Sequence, residues 1–135
     1  MPAIEPVIEI LGVDVTLVHL SPHVLANDHA HYQRACNRAR VHELQRKLMR
    51  RAQRGEPRKP LLVARRGDGS HWILDGQHHA EAEKALGTER VPCYVVESPG
   101  WAQERLWFIV IQLLQGRPLP GPLAAAEGRL ERPAA

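Results

Sequence analysis

The sequence predicts a single small α/β (or α+β) domain, in which a mixed β-sheet carries helices on its faces. Short apolar or β-branched runs alternate along the chain with amphipathic helical patterns. Two of the runs are separated by Gly67-Asp-Gly-Ser70, a turn signal typical of a hairpin. A chain of 135 residues is long enough for one domain with a core of adequate size.

The first part of the chain is predicted to begin loosely and then to form strands. Residues 1–6 are expected to be flexible, and the domain itself to occupy 7–116. Residues 8–20 have strand character, because β-branched side chains recur there in partial alternation. Ser21-Pro22 then indicates a helix N-cap followed by proline, and hence a short helical turn. Residues 27–37 fit either a loop or a helix.

The middle of the chain contains the strongest pattern. An apolar stripe at helical spacing predicts a helix over 38–53, with lysine and arginine on its other faces. The apolar run over 60–66 predicts a strand, and the hairpin turn returns the chain as a second strand over 71–74. This second strand leads through a glycine directly into another amphipathic segment.

The last third of the chain predicts one more strand and one more helix. Residues 91–96 are β-branched and apolar, whereas 99–115 begin with an N-cap and proline signature. The helix over 99–115 is apolar on more than one face, which favours deep burial; burial against a second copy in a homodimer is the alternative. Residues 117–135 are rich in proline and alanine and are expected to be a disordered tail.

The segment that indicates function is Asp75-Gly-Gln-His-His79, where a strand turns through glycine into a helix. The start of a helix has unpaired N–H groups and the positive end of the helix dipole, which together favour an anion such as phosphate. Glycine lets the ligand approach the backbone closely, so a bulkier residue there should block binding and leave the fold intact. The sequence therefore predicts a phosphate site at Gly76, Gln77, His78 and His79.

These residues also carry a resemblance to a known family. Asp-Gly-Gln-His-His-Ala-Glu-Ala at 75–82 resembles the Asp-Gly-His-His-Arg or Gly-Glu-Arg-Arg segment of the ParB/sulfiredoxin superfamily. The order of strand, Gly-Asp-Gly turn, strand, helix and strand is also similar, so the resemblance covers about 15–96. It implies the fold of that superfamily, which includes CTP-binding DNA partition proteins, sulfiredoxin, a free serine kinase and ParB-like nuclease modules. Fold alone does not choose among these activities.

Three positions distinguish this chain from those relatives. Gln77 stands where sulfiredoxin-like sequences have a nucleophilic cysteine, which argues against a sulfiredoxin-type reductase. His79 stands where kinase-like members have arginine, so phosphate affinity should fall as the pH rises through about 6–7. Asp75 is the candidate catalytic carboxylate and Mg²⁺ ligand, or alternatively a cap of the helix.

Positive charge is concentrated in one part of the chain. Residues 34–66 contain 12 Lys and Arg against two Glu, a net charge of +10 in a chain whose total is +3. Such asymmetry favours a polyanion partner such as DNA, although a solvated helix face has the same composition. The side chains expected to contact DNA phosphates are Arg46, Lys47, Arg50 and Arg51.

Other features of the sequence bound the function. No apolar run approaches the roughly 20 residues that a membrane helix needs, the N-terminus lacks a signal-peptide pattern, and the two cysteines have no metal-ligand spacing. A cytoplasmic protein is expected. We interpret it as a nucleotide- or phosphate-binding module for CTP or ATP, with Mg²⁺ as the companion ion and DNA as a further partner. The alternatives are a metal-dependent nuclease, a small-molecule kinase, or a non-enzymatic nucleic-acid-binding accessory protein.

Overall fold

The computed structural model describes residues 3–120 as a five-stranded mixed sheet with helices on both faces. The elements in chain order are α1 (Ile4–Leu11), β1 (Thr16–Leu20), a 3₁₀ turn (Pro22–Val24), β2 (Leu25–Ala26), α2 (Arg38–Gln53), β3 (Leu61–Arg65), β4 (His71–Asp75), α3 (Gln77–Ala85), β5 (Val91–Glu97) and α4 (Trp101–Leu114). The strand order across the sheet is β1-β5-β3-β4-β2. The predicted fold class is confirmed, and the predicted helix over 38–53 has the bounds of α2.

The central strand β3 explains why the sheet is covered on both faces. It pairs parallel to β5 and antiparallel to β4, and its residues 61–64 are all buried. Successive side chains of a strand point to opposite faces. Leu62 and Ala64 therefore pack in the core cluster of α1 and α4, whereas Leu61 and Val63 pack in the cluster that includes Ala80 of α3.

The N-terminal segment differs from the prediction. Residues 4–6, expected to be flexible, and 8–11, expected to be strand, together form helix α1. The β-branched composition of this segment suggested a strand, but Ile4, Val7 and Ile8 recur at helical spacing and are buried in the core cluster that includes α4 residues. Tertiary packing therefore decides between the two patterns.

A buried ionic network joins the long loop before α2 to the β3–β4 hairpin and to α4. Arg66 donates from Nε and Nη2 to the two oxygens of Glu104 at 2.9 and 2.8 Å, and from Nη2 to Asp28 at 2.8 Å. Tyr32 donates to Glu104 at 2.7 Å. Glu104 is fully buried and Asp28 nearly so. Because the loop continues from Tyr32 towards α2, this network fixes the segment that reaches the pocket described below.

Candidate functional site: a cationic pocket at the start of α3

A pocket of about 780 Å³ lies where β4 passes into α3. Its walls come from segments distant in sequence: the start of α1, the loop and first turn of α2, the linker before β3, the β4–α3 junction, and the end of α4 with the residues after it. All five residues of the predicted functional segment, 75–79, line this pocket. The structure therefore brings the sequence-predicted residues together in one concave site.

The start of α3 presents backbone donors to the pocket. Gly76 is the N-cap residue, with φ of 111° and ψ of 26°, and no side chain caps the helix. The N–H groups of the first three helical residues, 77–79, have no carbonyl of the same helix to bond. A Cβ at Gly76 would lie 2.5 Å from Leu61 Cδ2. The backbone conformation and the close packing against Leu61 thus require glycine here, whether or not a ligand binds.

Gln77 supports the interpretation that this helix start receives a ligand. The residue is only 4% exposed. Neither its Nε2 nor its Oε1 has a hydrogen-bond partner among residues 3–120. A buried polar group left unpaired costs about 1–3 kcal/mol. Gln77 is among the residues that line the pocket, so a polar ligand or water bound there is one source of the missing partners.

The pocket has an excess of positive charge. Four basic side chains and two carboxylates line it: Arg34, Arg40, Lys59 and Arg117, with Glu5 and Asp75. Arg34 donates to Gln112 Oε1 at 2.6 Å and to the Pro118 carbonyl at 2.8 Å. Such a lining favours an anion of high charge, and the helix dipole of α3 acts in the same direction.

The two histidines of the segment differ in their contacts. His78 Nε2 accepts a hydrogen bond from the Asn37 N–H at 3.1 Å. Burial lowers the pKa of His79 below its ordinary value. Arg51 and Arg58 lower it further, whereas Glu83 and Asp75 oppose the shift. The direction of this shift favours the neutral imidazole. A histidine lacks the fixed charge that an arginine would carry here.

Asp75 is held by its neighbours. Arg117 donates to Oδ1 at 3.1 Å, and Gln115 Nε2 lies 3.5 Å from Oδ2. Since Gly76 is the N-cap and no side chain caps α3, Asp75 does not have the capping role. Within residues 3–120, no group of three or more His, Cys, Asp or Glu is arranged to hold a metal. An Mg²⁺ ion at Asp75 would thus need further oxygen ligands, such as phosphates, and its role stays a prediction.

The predicted DNA-contacting residues lie outside this pocket. Arg46, Lys47 and Arg50 are exposed on α2, and Arg51 is 37% exposed. Lys47 pairs with Glu43 at 3.3 Å. The basic segment therefore divides into two parts, since Arg34, Arg40 and Lys59 face the pocket.

Sequence reasoning missed the contributions of α1, of α4 and of the residues that follow α4. Glu5, Gln112, Gln115 and Arg117 line the pocket, although they are far from residue 76 in sequence. Arg117 belongs to the segment predicted to be disordered, yet its ion pair with Asp75 holds it at the site. The remainder of that predicted tail, from 121 to 135, lies outside the described residues.

Helix α4 only partly fulfils the expectation of deep burial. Phe108 and Ile111 are buried, but Leu106, Val110, Leu113 and Leu114 are exposed. A homodimer through this helix stays a prediction.

Among residues 3–120, no helix combines the length and apolar character needed to cross a membrane. The Cys93 thiol lies in β5, where burial raises its pKa to about 11 and leaves it a poor nucleophile.

Comparisons with known proteins identify the fold. No family model and no curated protein matches the sequence. Among solved structures, the chromosome-partitioning protein ParB from Caulobacter crescentus complexed with CTP-γ-S aligns over 84% of this chain and 60% of its own, at 18% identity and a TM-score of 0.56. A Pnob8-like ParB-N domain aligns over 77% and 38%, also at 18% and 0.56.

A second structure of the Caulobacter crescentus protein, complexed with the centromeric parS site, aligns over 68% of this chain and 44% of its own, at 17% identity and a TM-score of 0.51. This chain thus spans less than two thirds of the length of each of these ParB structures. The shared architecture is the five-stranded mixed sheet with its flanking helices. The chain therefore shares the fold of these ParB domains.

Proposed function

We propose that this domain binds a nucleoside triphosphate, with the phosphates at the start of α3. The observation that carries the proposal is the buried amide of Gln77, which has no partner among residues 3–120, beside the helix start at Gly76, which no described side chain caps. Backbone N–H groups at a helix start and an amide without a protein partner are groups that a polar ligand can satisfy. The four basic side chains among the described lining residues favour an anion as this ligand.

The size and lining of the pocket favour a nucleotide over a bare phosphate. A volume of about 780 Å³ is within the range of pockets that hold a cofactor-sized molecule. Apolar side chains, including Ile4, Leu44 and Phe108, line the same pocket and can contact a base or sugar. A ParB structure of the same fold was solved with CTP-γ-S, which supports CTP, and next ATP, as the first ligands to test.

Calorimetric titration of CTP, ATP, GTP, UTP and inorganic tripolyphosphate, with and without Mg²⁺, tests this proposal. Lys59→Gln and Arg40→Gln each remove a cation that lines the pocket, and each should weaken triphosphate binding by about 10–100-fold. Arg46→Gln is the matched control on α2, because Arg46 is exposed and does not line the pocket. If no triphosphate binds the parent protein at millimolar concentration, the proposed function is wrong.

DNA is the second candidate partner, and the exposed face of α2 favours it. Arg46, Lys47 and Arg50 are exposed there, outside the nucleotide pocket. Contacts from such side chains would be made to phosphates, with little sequence preference. Retardation of duplex DNA at about 50 mM salt, where these contacts are weakly screened, tests this second function independently of nucleotide.

A further inference from the structure

A hydrogen bond joins the starts of α2 and α3 at the edge of the pocket. The Asn37 N–H donates to His78 Nε2 at 3.1 Å, and both residues line the pocket. Asn37 is also the N-cap of α2, where its side chain accepts from the Arg40 N–H at 3.2 Å. Because Nε2 accepts, the imidazole of His78 is neutral and carries its proton on Nδ1. In this arrangement the Asn37 N–H bonds His78 and is not available to a ligand at the edge of the pocket.

The surroundings of His78 explain why it is neutral. Burial lowers its pKa, and Arg40, Arg34 and Arg117 lower it further, while Glu81 on its own helix opposes them. The three arginines come from α2, from the loop before it and from the segment after α4, and all three line the pocket. A polyanion bound among them would offset their positive field. Binding at this site would thereby favour the protonated imidazole.

We propose that His78 takes up a proton when phosphates bind, and that the Asn37 N–H it releases becomes a second anchoring point for the ligand. This inference rests on the proposed function. The proton comes from solvent and adds to Nε2, so the imidazolium can only donate and can no longer accept from Asn37. His78 then donates to a phosphate oxygen, and the freed N–H is available to another. The ligand is held by the N-terminal ends of α2 and α3 together.

The amide of Gln77, which has no partner among residues 3–120, independently supports a ligand in this part of the pocket. An arginine at position 78 would hold phosphate without titrating, whereas histidine links binding to pH. Affinity should rise as the pH falls, by up to tenfold per pH unit between the pKa of His78 in the free protein and its higher pKa in the complex.

Calorimetry with inorganic tripolyphosphate at pH 7, in two buffers that differ in ionisation enthalpy, measures the proton uptake. The parent should take up more protons than His78→Gln, by an amount up to one per site. Glutamine at 78 can accept from Asn37 through its oxygen and donate through its nitrogen, but it does not titrate. Protonation of tripolyphosphate itself is common to both proteins and cancels in the difference. His19→Asn, at an exposed position outside the pocket, should match the parent.

A second readout follows the Asn37 amide directly by NMR. Saturating tripolyphosphate should shift the Asn37 N–H resonance in the parent, because its acceptor changes from imidazole to phosphate. Equal proton uptake by the parent and His78→Gln, or an Asn37 resonance that does not move in a saturated complex, overturns the inference and leaves phosphate binding intact. Absence of tripolyphosphate and nucleotide binding in the parent overturns both proposals.

Discussion

Substitution of Gly76 by alanine should destabilise the fold itself, and its cost can be worked from the structure. Gly76 has φ of 111°, a backbone conformation that costs a residue with a Cβ about 1–3 kcal/mol. The new Cβ would lie 2.5 Å from Leu61 Cδ2, and Leu61 is a buried side chain of β3. Overpacking of this kind costs about 1–3 kcal/mol. The free energy of unfolding should therefore fall by about 2–6 kcal/mol.

Urea unfolding of three variants measures the two contributions separately. Gly87→Ala is the control for conformation, because Gly87 has φ of 71° but no atom within 4 Å of its ideal Cβ position; it should cost about 1–2 kcal/mol. Leu61→Val removes the clashing Cδ2, so the double variant with Gly76→Ala should be more stable than the sum of the single effects by about 1–2 kcal/mol. A Gly76→Ala variant no less stable than Gly87→Ala would refute the reasoning. The sequence-based expectation of an intact fold at a substituted Gly76 omitted the Leu61 contact.

Three further predictions concern α2 and the buried ionic network. Reversal of Arg46, Lys47, Arg50 and Arg51 to Glu should abolish DNA retardation for all sequences, and each lost phosphate contact should lower the slope of log K against log salt by about 0.9. Burial alone would raise the pKa of Glu104, but hydrogen bonds from Arg66, Ser98 and Tyr32 hold it below its ordinary 4.5. The stabilisation that ionised Glu104 contributes should therefore be fully present above about pH 4.5. It should be lost as the pH falls through the lowered pKa of Glu104, and thermal melts at a series of pH values would show this loss. Arg66→Met leaves Glu104 buried without its partner and should cost about 3–5 kcal/mol in urea unfolding. Arg65→Met is the matched control: it breaks only an exposed pair with Glu97 and should cost at most about 1 kcal/mol.

Local patterns in the sequence predicted most of the secondary structure, because periodicity and turn residues act over short stretches of chain. The helix α2, the hairpin of β3 and β4, and the glycine turn into α3 are examples. The prediction failed at α1, where β-branched residues at helical spacing satisfy both patterns. The segment is helical because the helix buries its apolar side chains in the core shared with α4. Since α4 is distant in the sequence, a local pattern could not reveal that contact.

By itself, the sequence determined the fold class and the half of the candidate site that residues 75–79 supply, since a strand, a glycine and a helix start are consecutive in the chain. Only the tertiary structure decided the other half. Long-range contacts place Arg34 and Arg117 at the pocket and turn His78 towards the start of α2. Within the part of the chain that the structure describes, they also leave the Gln77 amide without a partner. Burial and the field of distant arginines likewise set the protonation of both histidines. These are properties of atoms brought together by folding, and sequence neighbours do not encode them.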